Sequence, residues 1–259
     1  MDVKIKNLNK KAQVSIFIII GVIVVAAILL FLFFRTNITP EIKKSSEKNP
    51  EYFLDNCLNE GAESIVRKIL KNGGYMENPL HKELDGENIT YLCYTENYYT
   101  QCTNQEPLLV QHVKKELKEN SQGIIENCFY EWETNLENDG YGIEIGSMNF
   151  DVELAPKKII FDIKRKIVLS KSGTTSKFEN FEIQKLSKLY ELTVIAQEIV
   201  SQEAEYCNFD HLGFMIIYPE YDIEKFRTGD GDVIYSIKDK KTQEEFKFAV
   251  RSCIMPGGL

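Results

Sequence analysis

The spacing of apolar residues divides the chain into recognisable elements. Residues 14–34 form an uncharged apolar run of 21 residues. At about 1.5 Å per residue, such a run crosses a hydrocarbon core of roughly 30 Å as one helix. No other segment is long enough. A polar linker containing Pro40 follows. Asn49-Pro50-Glu51 then reads as a helix start: Asn caps, Pro takes the first helical position, and an acid suits the first turn. Leu54, Leu58, Ala62, Ile65 and Ile69 recur at helical spacing, and Asn72-Gly73-Gly74 stops the helix.

Residues 75–103 are rich in Asn, Tyr and Gly and read as loops with a small hairpin around Cys93 and Cys102. A second helix is predicted over residues 107–136, with a break near Gly123. Residues 143–154 alternate as a strand whose phase shifts near Gly146, where a bulge fits. Residues 159–169 and 178–184 alternate as two more strands, with Lys-Ser-Gly-Thr-Thr-Ser at 171–176 as a turn. These connections are too short for crossovers, so this sheet is expected to be antiparallel. Leu186, Leu189, Leu192, Ala196 and Ile199 mark a helix to about residue 205 that can pack on it. Residues 214–218, 233–237 and 246–250 read as three further strands.

The expected fold is α+β: an N-terminal transmembrane helix, a helical segment stapled by a disulfide, and an antiparallel sheet with a packed helix. The expected divisions are an N-terminus (1–13), a membrane helix (14–34), a linker (35–49), a helical and loop-rich subdomain (50–140), and a sheet-plus-helix subdomain (141–259).

Charge sets the expected orientation. Lys4, Lys6, Lys10 and Lys11 precede the apolar run, against Asp2 alone. Basic residues next to a membrane helix favour the cytoplasmic side, so everything after about residue 35 is expected outside the cell. A cleaved secretory signal is the competing reading, but the run is long for a signal core and no small-x-small site follows it. Residues 1–35 carry five Lys or Arg and one acid, which leaves a net −12 for the remainder of a chain of net charge −8. Such an acidic domain argues against a nucleic-acid partner.

Six cysteines, Cys57, Cys93, Cys102, Cys128, Cys207 and Cys253, all lie beyond the apolar run. An even count on an oxidising side reads as three disulfides. Zinc fits poorly, because there is no C-x-x-C and His81, His112 and His211 are not at ligand spacing. Fifteen pairings of six cysteines are possible. Local logic favours Cys93–Cys102 closing a short loop, Cys57–Cys128 joining two helices, and Cys207–Cys253 joining the remaining pair.

Catalytic signatures are thin. Gly229-Asp230-Gly231-Asp232 lacks the oxygen ligands of an EF-hand and reads as a strand-joining turn. Gly173-Thr174-Thr175 lacks the Lys of a phosphate loop. Glu131 and Glu133 flank Trp132 as adjacent helix acids, an arrangement more common on a solvated face than in a glycosidase pair. Nothing resembles a nucleophile elbow, and no cofactor or metal is expected. Asn88-Ile89-Thr90 is a glycan sequon in a predicted external loop, and Asn37-Ile38-Thr39 is a second one close to the membrane run. Tyr91, Tyr94, Tyr98 and Tyr99 cluster in a loop-rich region and suit either packing or an adaptable contact surface.

Lys10-Lys11-Ala12-Gln13-Val14-Ser15, followed by the apolar run, resembles the class III signal of archaeal type IV pilin-like proteins. The resemblance implies cleavage between Ala12 and Gln13, with the apolar helix kept on the mature protein. Pilins of this type usually carry Glu at the fifth mature position, a residue associated with docking of subunits into a filament; this chain has Phe17 there. The remaining chain resembles uncharacterised membrane-anchored archaeal surface proteins. A plain uncleaved signal anchor accounts for the same basic residues.

Two functional classes follow. One is a structural or interaction protein of the cell surface, such as a pilin-like subunit or adhesin, that engages an envelope protein or copies of itself and is not an enzyme. Gly21 and Ala26-Ala27 would let membrane helices approach closely in that case. The other is a membrane-tethered hydrolase of envelope polymers, which requires a cleft with convergent polar groups.

Overall fold

A computed structural model describes residues 21, 22, 24–26 and 49–255. The expected N-terminus and linker, and most of the expected membrane helix, fall outside these residues; Gly21, Val22 and residues 24–26 are helical. Among the described residues no helix is long and apolar enough to cross a membrane.

Residues 50–255 form one compact α+β unit. Helix α1 (Pro50–Lys71) starts on its proline and buries Leu54, Leu58, Ala62, Ile65 and Ile69. It ends where Gly73 and Gly74 adopt φ of 64° and 100°, and the Gly74 amide donates to the Ile69 carbonyl at 2.8 Å. Left-handed backbone of this kind is the usual terminator of a helix. Strands β1 (His81–Leu84) and β2 (Glu87–Tyr94) form a tight hairpin over Asp85-Gly86, both at positive φ. A short β3 (Thr103–Asn104) adds to β2.

Helix α2 (Leu109–Asn138) packs along α1. A Cβ on Gly61 of α1 would lie 2.6 Å from Ile124 of α2, so the missing side chain permits the close approach. No break occurs at Gly123. That glycine is exposed with open space around it, and its cost of about 1 kcal/mol is outweighed by the packing on either side.

Strands β4 (Gly142–Ala155), β5 (Lys158–Lys171) and β6 (Thr174–Leu186) form an antiparallel meander. The β4–β5 register shifts between Ile145 and Met148, at the expected bulge around Gly146. Helix α3 (Leu189–Tyr206) follows and touches strands of both sheets.

Residues 214–218 are not a strand. They belong to a short helix α4 (His211–Ile217) and the residue after it. Asp210 caps this helix, its carboxylate accepting from the Gly213 amide at 3.0 Å, which fixes a helical turn where the apolar run alone reads as extended. Strands β7 (Tyr221–Arg227), β8 (Val233–Asp239) and β9 (Glu245–Val250) complete a second sheet of order β1-β2-β9-β8-β7. Its β2–β9 pair is parallel, while its other pairs are antiparallel.

The division expected at residue 140 is not a boundary in the fold. Strand β2 pairs with β9 across it, and one continuous core runs from Leu54 on α1 through Phe161 and Phe181 to Phe248 on β9.

Candidate interaction surface and charged cleft

The six cysteines form three bridges. Cys57–Cys128 joins α1 to α2, Cys93–Cys102 closes the loop between β2 and β3, and Cys207–Cys253 ties the end of α3 to the C-terminal segment. Ala12, Gln13 and Asn37 lie outside the described residues. Asn88 is exposed, but it stands in strand β2 rather than in a loop, because the Asp85-Gly86 turn draws its segment into the hairpin. The Thr90 hydroxyl of that sequon is buried and donates to the Asn72 carbonyl at 2.8 Å.

The tyrosines of the loop-rich region separate. Tyr98 and Tyr99 are exposed in the loop closed by Cys93–Cys102, whereas Tyr91 is buried with its hydroxyl on Asp232 at 2.8 Å. Burial, and then that carboxylate, push the Tyr91 phenol far above its ordinary range. The Gly229-Asp230-Gly231-Asp232 segment joins β7 to β8, and its carboxylates face cations. Asp230 pairs with Lys82, and Asp232 pairs with Lys82 at 3.0 Å and Arg251 at 2.8 Å. The Lys82 hydrogen bond, followed by one from Thr228, holds the Asp230 carboxyl down at about 2. Gly173 sits in the β5–β6 hairpin turn.

The three histidines stand on different elements: His81 on β1, His112 on α2 and His211 on α4. His112 lies between two carboxylates, its Nδ1 3.5 Å from Glu106 and its Nε2 3.9 Å from Glu116, with its ring 4.1 Å from that of Tyr75. Burial, then Glu106, push the Tyr75 phenol up to about 12. Glu116 also accepts from the Met76 amide at 3.0 Å, so the cluster clamps the segment after α1 onto α2. Among the described residues no Ser, Thr or Cys side chain bonds to His112, and no group of three His, Cys, Asp or Glu could hold a metal ion.

A cleft of about 1080 Å³ lies between α1, the β6–α3 junction and the β8–β9 turn. Seven Lys or Arg and six Asp or Glu line it, so its cations are largely spoken for. Lys188 holds Glu191 at 3.1 Å, Lys185 approaches Glu63 at 3.8 Å, and Lys71 and Lys247 grip Glu87 at 2.8 and 2.9 Å. The hydrogen bond from Lys247, then that from Lys71, draw the Glu87 carboxyl down to about 2. None of the three histidines and no aromatic side chain lines the cleft. It is an ion-paired groove in which the Ser187 hydroxyl also donates to the Glu244 carboxylate at 2.7 Å.

An exposed apolar surface lies on α4. This helix runs beside β7, the edge strand of the six-stranded sheet, and its Met215 sulfur accepts from the Ile223 amide at 3.2 Å. Phe214 turns inward onto Phe209, with ring centroids 5.6 Å apart. Ile216 is 82% exposed and Ile217 70%, and Leu212, Tyr218 and, on β7, Phe226 are exposed as well. Single exposed aliphatic residues are ordinary, but here Leu212, Ile216 and Ile217 all fall within one seven-residue helix. These exposed side chains were not expected from the sequence, where residues 214–218 read as a strand.

Comparison with family models, with curated proteins and with solved structures finds no match for this chain.

Proposed function

We propose that this chain is a single-pass, membrane-anchored protein of the cell surface, whose extracellular domain acts by contact rather than by catalysis. The apolar run over residues 14–34 is its anchor, and the basic residues before it hold the N-terminus in the cytoplasm. Three disulfides suit an oxidising exterior. The α4 ridge carries the reading: it places several large apolar side chains in water on a domain that already has a complete core. Its partner is an envelope protein or another copy of the chain. The pilin-like start, with cleavage between Ala12 and Gln13, makes subunit packing the sharper form of the same reading.

A photoreactive residue in place of Leu212, in the full chain in its native membrane, tests this. A discrete adduct is expected there, and little from the same residue at Glu179, which is exposed on β6 of the other sheet. Equal yields at the two positions, or none at 212, would contradict it.

A further inference from the structure

Lys225 stands on the inward face of edge strand β7, opposite Tyr235 in the antiparallel register. Its side chain is only 12% exposed. The amine reaches three acceptors: Glu203 of α3 at 3.1 Å, the Asn208 carboxamide oxygen at 2.8 Å and the Phe209 carbonyl at 3.2 Å. Glu203 is 2% exposed, and it also accepts from the Tyr235 hydroxyl. Phe209 and Tyr235, both buried, wall the site, with the amine 5.3 Å above the Tyr235 ring. Asn208 itself reaches the surface, and among the described residues its Nδ2 has no hydrogen-bond partner.

The geometry points to an intramolecular isopeptide bond between Lys225 Nζ and Asn208 Cγ, formed by the folded protein with Glu203 as its acid–base residue. Three ordinary requirements of amide exchange meet here. The amine is already in contact with the carboxamide it would attack, which removes most of the entropic barrier. A buried carboxylate touches the same amine and can take its proton within a water-poor pocket, where a separated ion pair gains little from solvent. The leaving nitrogen belongs to a residue that reaches the surface, so ammonia has a way out.

The atoms balance without a co-reactant. Lys225 ammonium gives one proton to Glu203, and rotation about Cε–Nζ brings the freed lone pair onto Asn208 Cγ. The Nζ–Cγ bond forms, and the carbonyl oxygen carries the negative charge of the tetrahedral intermediate. Glu203 protonates Nδ2, the Cγ–Nδ2 bond breaks, and the second Nζ proton passes through Glu203 to the departing ammonia. One ammonium and one carboxamide become one secondary amide and one ammonium ion, and Glu203 ends as the carboxylate it began. The link would join the segment after α3 to β7, beside the Cys207 bridge to Cys253, so that edge strand and helix end are covalently closed at adjacent residues.

Peptide mapping of the reduced full chain purified from its native membrane tests this. Intact mass alone is not sufficient, since cyclisation of a new N-terminal Gln13 also loses one ammonia. The expected result is a branched peptide joining Lys225 to Asn208, short of the summed unlinked peptides by one ammonia. It should vanish in Asn208→Ala, which changes an exposed side chain, and in Glu203→Gln. Recovery of unlinked Lys225 and Asn208 peptides in full yield from the folded wild-type chain overturns the proposal. An undiminished branched peptide in a folded Glu203→Gln variant overturns the assignment of Glu203.

Discussion

Arg251 donates to the carboxylate of Asp232 at 2.8 Å, where Asp232 is buried in the turn between β7 and β8. Lys82 and the Tyr91 hydroxyl complete the shell, so a C-terminal residue and the first hairpin converge on one charge. A buried carboxylate that loses a partner costs more than the pair contributes. Arg251→Met should therefore destabilise the domain by about 3 kcal/mol. Adding Asp232→Asn should recover a substantial part of that loss. A denaturant double-mutant cycle checks both, and additive losses would mean that the two groups do not act together.

Acid should loosen the contact between α1, β2 and β9. Glu87 bridges Lys71 of α1 and Lys247 of β9, and its carboxyl is held down from the ordinary 4.5 to about 2. A lowered folded-state value stabilises the fold fully above the ordinary value and is lost as pH falls through the folded one. The contribution should thus disappear between pH 4.5 and about 2. Glu87 is partly exposed and screened by water, so the effect should be below about 1 kcal/mol and weaker in high salt. Urea midpoints against pH should be less acid-sensitive for Glu87→Gln than for wild type; parallel curves would refute this.

The three bridges should differ in worth by loop length. Cys57–Cys128 spans 71 residues, Cys207–Cys253 spans 46 and Cys93–Cys102 spans 9. Chain-entropy arguments give about 4 kcal/mol for each long bridge and about 3 for the short one. Paired Cys→Ser variants measured by denaturation should follow that order, with Cys93→Ser/Cys102→Ser the mildest.

Local signals in the sequence were strong where neighbours decide structure. Pro50 and Gly73-Gly74 bound α1, alternation and short turns define the β4–β6 meander, and parity with element order gives the cystine pairs. The misreadings needed information from afar. Residues 214–218 look extended, because a short apolar run fits strand and helix alike; the Asp210 cap and the inward Phe214 settle it. The parallel β2–β9 pair joins segments some 150 residues apart, and no local pattern announces it. The cleft and the Lys225 cluster were invisible for the same reason, each drawing its residues from separated elements.

Replacing both Ile216 and Ile217 by Asp should leave folding nearly untouched. Both are exposed, and surface changes away from packed features usually stay within about 0.5 kcal/mol. The variant should keep its urea midpoint and its three cystines, and a fall in midpoint would show that the ridge is packed rather than displayed.

The most direct test combines that variant with the photoreactive residue at position 212 in the native membrane. The adduct seen on the wild-type background should disappear while the domain stays folded. An adduct of unchanged yield on the folded Ile216→Asp, Ile217→Asp background would contradict a contact function for α4.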